Sequence, residues 1–84
     1  MNPRPIAVQP LKNFELEIKF ANGEVRIFDM KPHLEFGVFN ELKSVSYFNQ
    51  VKIQNGSVAW PNEQDVCPDT LFEGSRLLRK NGAA

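Results

Sequence analysis

Two Asn-Gly dipeptides, Asn22-Gly23 and Asn55-Gly56, constrain this chain more than any other feature. Each lies between short runs in which apolar and polar residues alternate. Alternation is the period-two mark of a strand with one buried face. Asn-Gly supplies the positive φ angles of a type I′ turn, so each unit is predicted to be a two-residue β-hairpin. In the first, Phe14-Glu15-Leu16-Glu17-Ile18-Lys19-Phe20 precedes the turn and Glu24-Val25-Arg26-Ile27-Phe28 follows it. A two-residue turn places Phe20 opposite Val25 and Ile18 opposite Ile27 on the apolar face. Lys19 then faces Arg26, and Glu17 faces Phe28, on the polar side, with Leu16 facing Asp29 at the ladder's end. The same rule in the second hairpin sets Ile53 against Val58 and Val51 against Trp60. Pro61 ends that strand, because proline has no N–H to give a ladder.

The remaining segments take their roles around these hairpins. Ile6 to Leu11, with prolines at 3, 5 and 10, suits an edge strand. Pro32 to Asn49 is predicted to be helical, with Asp29 capping a turn at Lys31 to Leu34. Gly37 interrupts that stretch, and Val38, Phe39 and Leu42 are at core spacing. Phe48 joins them after a bend near Ser44, and Ser46 caps the last turn. A C-terminal helix starts at Pro68, a favoured first position, with Asp69 and Glu73 at its positive end. Gly74 weakens it. If it continues, Leu71, Leu78 and Phe72 form its apolar side, Arg79 and Lys80 its negative end, and Asn81-Gly82 its C-cap. The expected fold is a single α+β domain over residues 1–84, with its core about residues 6–74 and a helix end or frayed tail at 75–84. It holds a small antiparallel sheet of the two hairpins plus the N-terminal edge strand, with short helices packed on one face.

Composition narrows the function classes. At 84 residues, with 42% hydrophobic and 24% charged side chains, the chain suits one folded domain with a modest core. Ten basic and ten acidic residues cancel, whereas phosphate binding favours a basic excess. Cys67 is the sole cysteine, so no internal disulfide forms, which suits a reducing cytosol. Residues 1–10 resemble neither a signal peptide nor an anchor, and no apolar run approaches the ~20 residues of a membrane helix.

The order of the motifs adds a resemblance. Phe20-Ala21-Asn22-Gly23-Glu24 leads to Asp29; Leu34 to Leu42 and Phe48 follow. Then comes Trp60-Pro61-Asn62 with Asp65, Pro68-Asp69 and Leu71-Phe72. Over roughly residues 6–74 this order resembles a bacterial family known as domain of unknown function 2442, and the Trp-Pro-Asn and Asp-x-x-Pro-Asp-x-Leu-Phe part is the more specific. The resemblance implies an α+β fold and no known activity. Some relatives carry a helix-turn-helix segment, suggesting a regulator. Others are free-standing small proteins that look like companions of a second small protein, in an arrangement similar to toxin–antitoxin pairs. The sequence reaches only Ala84, too early for a helix-turn-helix unit, so DNA binding of that origin is not expected.

Candidate chemistry is sparse. His33 has no motif placing Ser44, Ser46, Ser57, Ser75 or Cys67 beside it, so it is expected to be a surface or helix-start residue. Cys67 before Pro68 invites a thiolate nucleophile or redox sensor, but a small buried hydrophobe is the commoner role. Glu63, Asp65, Asp69 and Glu73 with Asn62 lack calcium-loop spacing, and caps and turns account for them. No catalytic residue, cofactor, metal or small-molecule ligand is expected. The chain is expected to be a non-enzymatic, cytoplasmic protein-interaction module, with a protein partner or a homodimer. A DNA-binding or regulatory module is the alternative. Candidate contact residues are Val8 on the edge strand, Phe28 on the polar face, Phe36 and Phe39 in the helical stretch, Trp60, and the basic Arg76 and Arg79. Trp60 is also a candidate core residue, and the basic pair a candidate solvated end.

Overall fold

The computed structural model describes residues 2–80. In chain order the strands are β1 (Pro5–Pro10), β2 (Glu15–Phe20), β3 (Glu24–Asp29), β4 (Lys52–Gln54), β5 (Ser57–Ala59), β6 (Asp65–Val66) and β7 (Ser75–Lys80). Two short α-helices, α1 (Val45–Phe48) and α2 (Pro68–Glu73), and several 3₁₀ turns connect them. The strands form two antiparallel sheets rather than one, ordered β1-β2-β3-β7 and β4-β5-β6. Both contribute to one core, in which Leu16, Ile18, Phe20 and Phe28 meet Val58 and Trp60. The α+β class and the N-terminal edge strand are as expected.

The two Asn-Gly turns differ. Asn55 and Gly56 have φ of 53° and 75°, and Ile53 pairs with Val58. This is the predicted two-residue turn. At the first hairpin only Gly23 is left-handed, at φ 89°, and its N–H bonds the Phe20 carbonyl at 3.0 Å. The loop is therefore Ala21-Asn22-Gly23, a type I turn closed by a glycine bulge. Asn22 Oδ1 supports it by accepting the Glu24 N–H at 3.0 Å. The extra loop residue slips the register by one. Leu16 pairs with Phe28, Ile18 with Arg26 and Lys19 with Val25.

A one-residue slip exchanges the faces of a strand. Phe28, expected on the polar side, is 1% exposed in the core, while Val25 and Ile27 turn to the opposite face. β3 tolerates this because it is apolar on both sides. Val25 and Ile27 stay buried beneath a roof of charge that spans from β2 to β7: Arg79 lies 3.7 Å from Glu17, and Arg76 lies 4.0 Å from Glu15. Arg26, now on the core side, meets Glu24 at 2.7 Å and donates to the Ser75 carbonyl at 3.2 Å. Its guanidinium carbon stands 4.1 Å from the centroid of the Phe72 ring.

The helical middle is tighter than predicted. Lys31–His33 and Gly37–Lys43 are 3₁₀, and only α1 is α-helical. Gly37 opens the second turn instead of breaking a helix. Three residues per turn put Phe39 and Leu42 on one side and turn Val38 outward. Leu42 is buried and Val38 is 64% exposed, so Val38 is not a core residue. Ser46 lies within α1; Ser44 precedes the helix and makes no side-chain cap bond.

Asp29 does close the predicted turn, accepting the Lys31 N–H at 2.9 Å. Partial burial works against its carboxylate. The Lys31 N–H and ammonium, with the charge of Arg76, outweigh this and hold its pKa below the ordinary 3.8. A depressed folded pKa contributes stability above the ordinary value, and that contribution is lost as pH falls through the folded one. Asp29→Asn is therefore expected to lower the unfolding free energy measured in urea near neutral pH by about a few tenths of a kcal/mol for so exposed a pair. The gap to wild type should narrow as pH falls below the ordinary carboxylate range, and a pH-independent gap would contradict this account.

The C-terminal helix ends at Gly74, and residues 75–80 form β7 against β3 instead of continuing it. Leu78, Arg79 and Lys80 are accordingly strand residues. The predicted Asn81-Gly82 cap lies outside the described residues.

Candidate interaction surface

Trp60 is 1% exposed and donates its indole N–H to the Phe48 carbonyl at 2.9 Å. The residues after it tie the same turn to the 3₁₀ segment. Asn62 Nδ2 donates to both Glu41 carboxylate oxygens at 2.9 and 2.8 Å. Gln64 Nε2 donates to Glu41 at 3.0 Å. The Tyr47 hydroxyl donates to Gln64 Oε1 at 2.6 Å and accepts the Asn62 N–H at 2.8 Å. The Trp-Pro-Asn motif thus joins the second sheet to the helical middle, and Trp60 belongs to the core rather than to a contact surface. Farther on, Asp69 and Glu73 accept from Asn2 Nδ2 at 3.2 and 2.9 Å. Among the described residues, no three His, Cys, Asp or Glu side chains are placed to hold a metal ion.

His33 packs in an aromatic cluster. Its ring stacks on Phe28 at 5.4 Å and meets the edges of Phe36 and Phe39 at 6.1 and 6.4 Å. Cys67 is exposed, not a buried hydrophobe, with Sγ 3.1 Å from the Thr70 hydroxyl at the start of α2. The Thr70 hydroxyl and N–H lower its pKa from the ordinary 9.0; burial opposes them, the Asp69 N–H assists and the Asp69 charge opposes. Alkylation of the folded protein by iodoacetamide is expected to show a pH midpoint below 9.0. Thr70→Val should raise that midpoint, and an unmoved value would remove the hydroxyl from the explanation.

The other contact candidates separate by burial. Phe28 is inside. Val8 and Phe39 are half-buried against the core. Phe36 is exposed, at 59%. Arg76 and Arg79 stand on the outer face of the larger sheet, in the charged roof, rather than on a loose end. A cleft of about 310 Å³ lies elsewhere, floored by Leu11, Phe14, Val45 and Phe48. Its lip carries Asn13 and Phe14 at φ 62° and 59°, held by the Met30 N–H on the Phe14 carbonyl and the Lys31 ammonium on the Asn13 carbonyl.

The two edges of the larger sheet are unlike. β1 carries Pro5 and Pro10, and it runs alongside β4 and β5. β7 has no proline and, among the described residues, pairs only with β3. Its central Leu77 and Leu78 are about half exposed, at 54% and 48%. Sequence reasoning missed β7 by extending α2 through Gly74. Gly74 was the one local signal against a continuing helix; the run after it, Ser75–Lys80, is rich in helix-favouring Leu, Arg and Lys.

The chain belongs to the family described as protein of unknown function (DUF2442), whose profile matches residues 5–76. That span opens at the first residue of β1 and closes on Arg76 in β7. No curated protein and no solved structure matches it. No helix among the described residues is long and apolar enough to cross a membrane.

Proposed function

We propose that this chain is a non-enzymatic protein-interaction module, an antitoxin-like companion of a second small bacterial protein in the cytoplasm. The observation that carries the reading is β7. Edge strands present unpaired N–H and C=O groups that a second chain can complete. β7 adds two half-exposed leucines to that edge. A domain with so small a core also gains from covering more apolar surface.

The test is capture at native expression. The tagged chain is cross-linked in its own cells, and the product of the adjacent small gene is sought in stoichiometric amount. Recovery of that product supports the reading. A chain recovered alone, across growth phases and with cross-linker present, overturns it.

A further inference from the structure

Resting on that reading, we propose that β7 receives an extended partner segment carrying two carboxylates at alternate positions, set to face Arg76 and Arg79, with an apolar residue between them. The spacing follows from a bulge. Val25 pairs with Arg79 and Arg26 with Leu77, so Leu78 is an extra residue in β7. The bulge brings Arg76 and Arg79 to one face although they are three positions apart. β3 opposes them with Ile27 and Val25, two positions apart, and β2 continues the register with Glu17 and Lys19. The two guanidiniums reach diagonally across β3 to Glu15 and Glu17, again two positions apart. A regular strand added on the open side meets the same two guanidiniums at the same alternate spacing.

Charge selects the occupant. β7 carries Arg76, Arg79 and Lys80 and no acidic residue. Pairing with a second copy, antiparallel and centred on Leu77-Leu78, sets Arg76 opposite Arg79 of that copy. Like charges directly opposite are destabilising. The contacts to Glu15 and Glu17 are long, at 4.0 and 3.7 Å, and the Arg side chains are 66% and 52% exposed. Each guanidinium, with five N–H donors, keeps capacity for a carboxylate on the open side.

The experiment uses the full, isotope-labelled chain at low salt. It is titrated to millimolar concentration with an end-blocked peptide, Thr-Glu-Val-Glu-Val-Thr, and separately with its lysine counterpart, Thr-Lys-Val-Lys-Val-Thr. Amide shifts are expected along Ser75–Lys80 with the acidic peptide only, weakening as salt is added. Arg76→Gln with Arg79→Gln should weaken binding about fivefold or more without altering the melting temperature much. Arg76→Glu with Arg79→Glu should transfer the preference to the lysine peptide. Silence up to millimolar peptide, equal response to both peptides, or shifts on β1 overturns the proposal. So does β7 self-association, or binding of duplex DNA in place of peptide. If the charge-reversed Glu variant captures the native companion as well as wild type does, β7 is not the docking edge, while the interaction-module reading stands.

Discussion

Trp60→Ala is expected to lower the melting temperature by about 20 °C, the largest effect of any single substitution considered. Trp60 is the largest of the fully buried side chains, and it packs on Phe48 at 5.9 Å between ring centroids. Truncating a buried Trp costs about 3–5 kcal/mol. Removing the indole N–H also leaves the Phe48 carbonyl without that donor. A domain of this length holds only about 5–10 kcal/mol in total, so roughly half its stability is at stake. Trp60→Phe should lose less, since most of the ring volume remains. A thermal melt followed by circular dichroism decides it. A Trp60→Ala melt within a few degrees of wild type would show that the second sheet does not depend on this anchor.

Gly74→Ala is the second large effect, expected to cost about 1–3 kcal/mol by overpacking. A Cβ at Gly74 would lie 2.9 Å from a Phe28 ring carbon and 2.9 Å from the Thr70 carbonyl oxygen. Neither can yield easily. Phe28 is 1% exposed, and the Thr70 oxygen already accepts the Gly74 N–H at 2.9 Å. Backbone strain is not the cause, since φ at Gly74 is −92°. Gly37→Ala is the control, because nothing lies within 4 Å of a Cβ there. It should be neutral or stabilise by a few tenths of a kcal/mol, since Ala restricts the unfolded chain. Both sites adjoin helical turns, and intrinsic propensity favours Ala at each. Paired urea denaturation of the two variants tests sterics against propensity, and equal midpoints would refute the steric account.

Residues that form their elements by local rules were legible in the sequence. The Asn55-Gly56 hairpin, the Asp29 turn, the start of α2 at Pro68 and the edge position of β1 depend on neighbours one to four positions away. The first hairpin shows where such rules end. Glu24-Val25-Arg26-Ile27-Phe28 carries apolar side chains on both faces, so alternation cannot choose between registers one residue apart. The choice depends on Phe72 offering a ring to Arg26 and on β7 supplying the roof over Val25 and Ile27, both of them distant in sequence. β7 was illegible for a related reason. Its strand character comes from pairing with β3, about fifty positions earlier, and nothing within the run specifies it. The candidate docking edge inherits that difficulty. Arg76 and Arg79 were candidate contact residues in the sequence, and the bulge at Leu78 is what places them side by side.

Among the described residues, the strand that completes the larger sheet is the last in order, while its neighbour β3 ends at Asp29. Until residue 80 leaves the ribosome, the β1–β3 meander has one flank unfinished and Val25 and Ile27 without their cover. During synthesis the nascent protein therefore presents a temporary sticky margin for some fifty codons, long enough for a chaperone to bind it or for a neighbouring nascent copy to misjoin it.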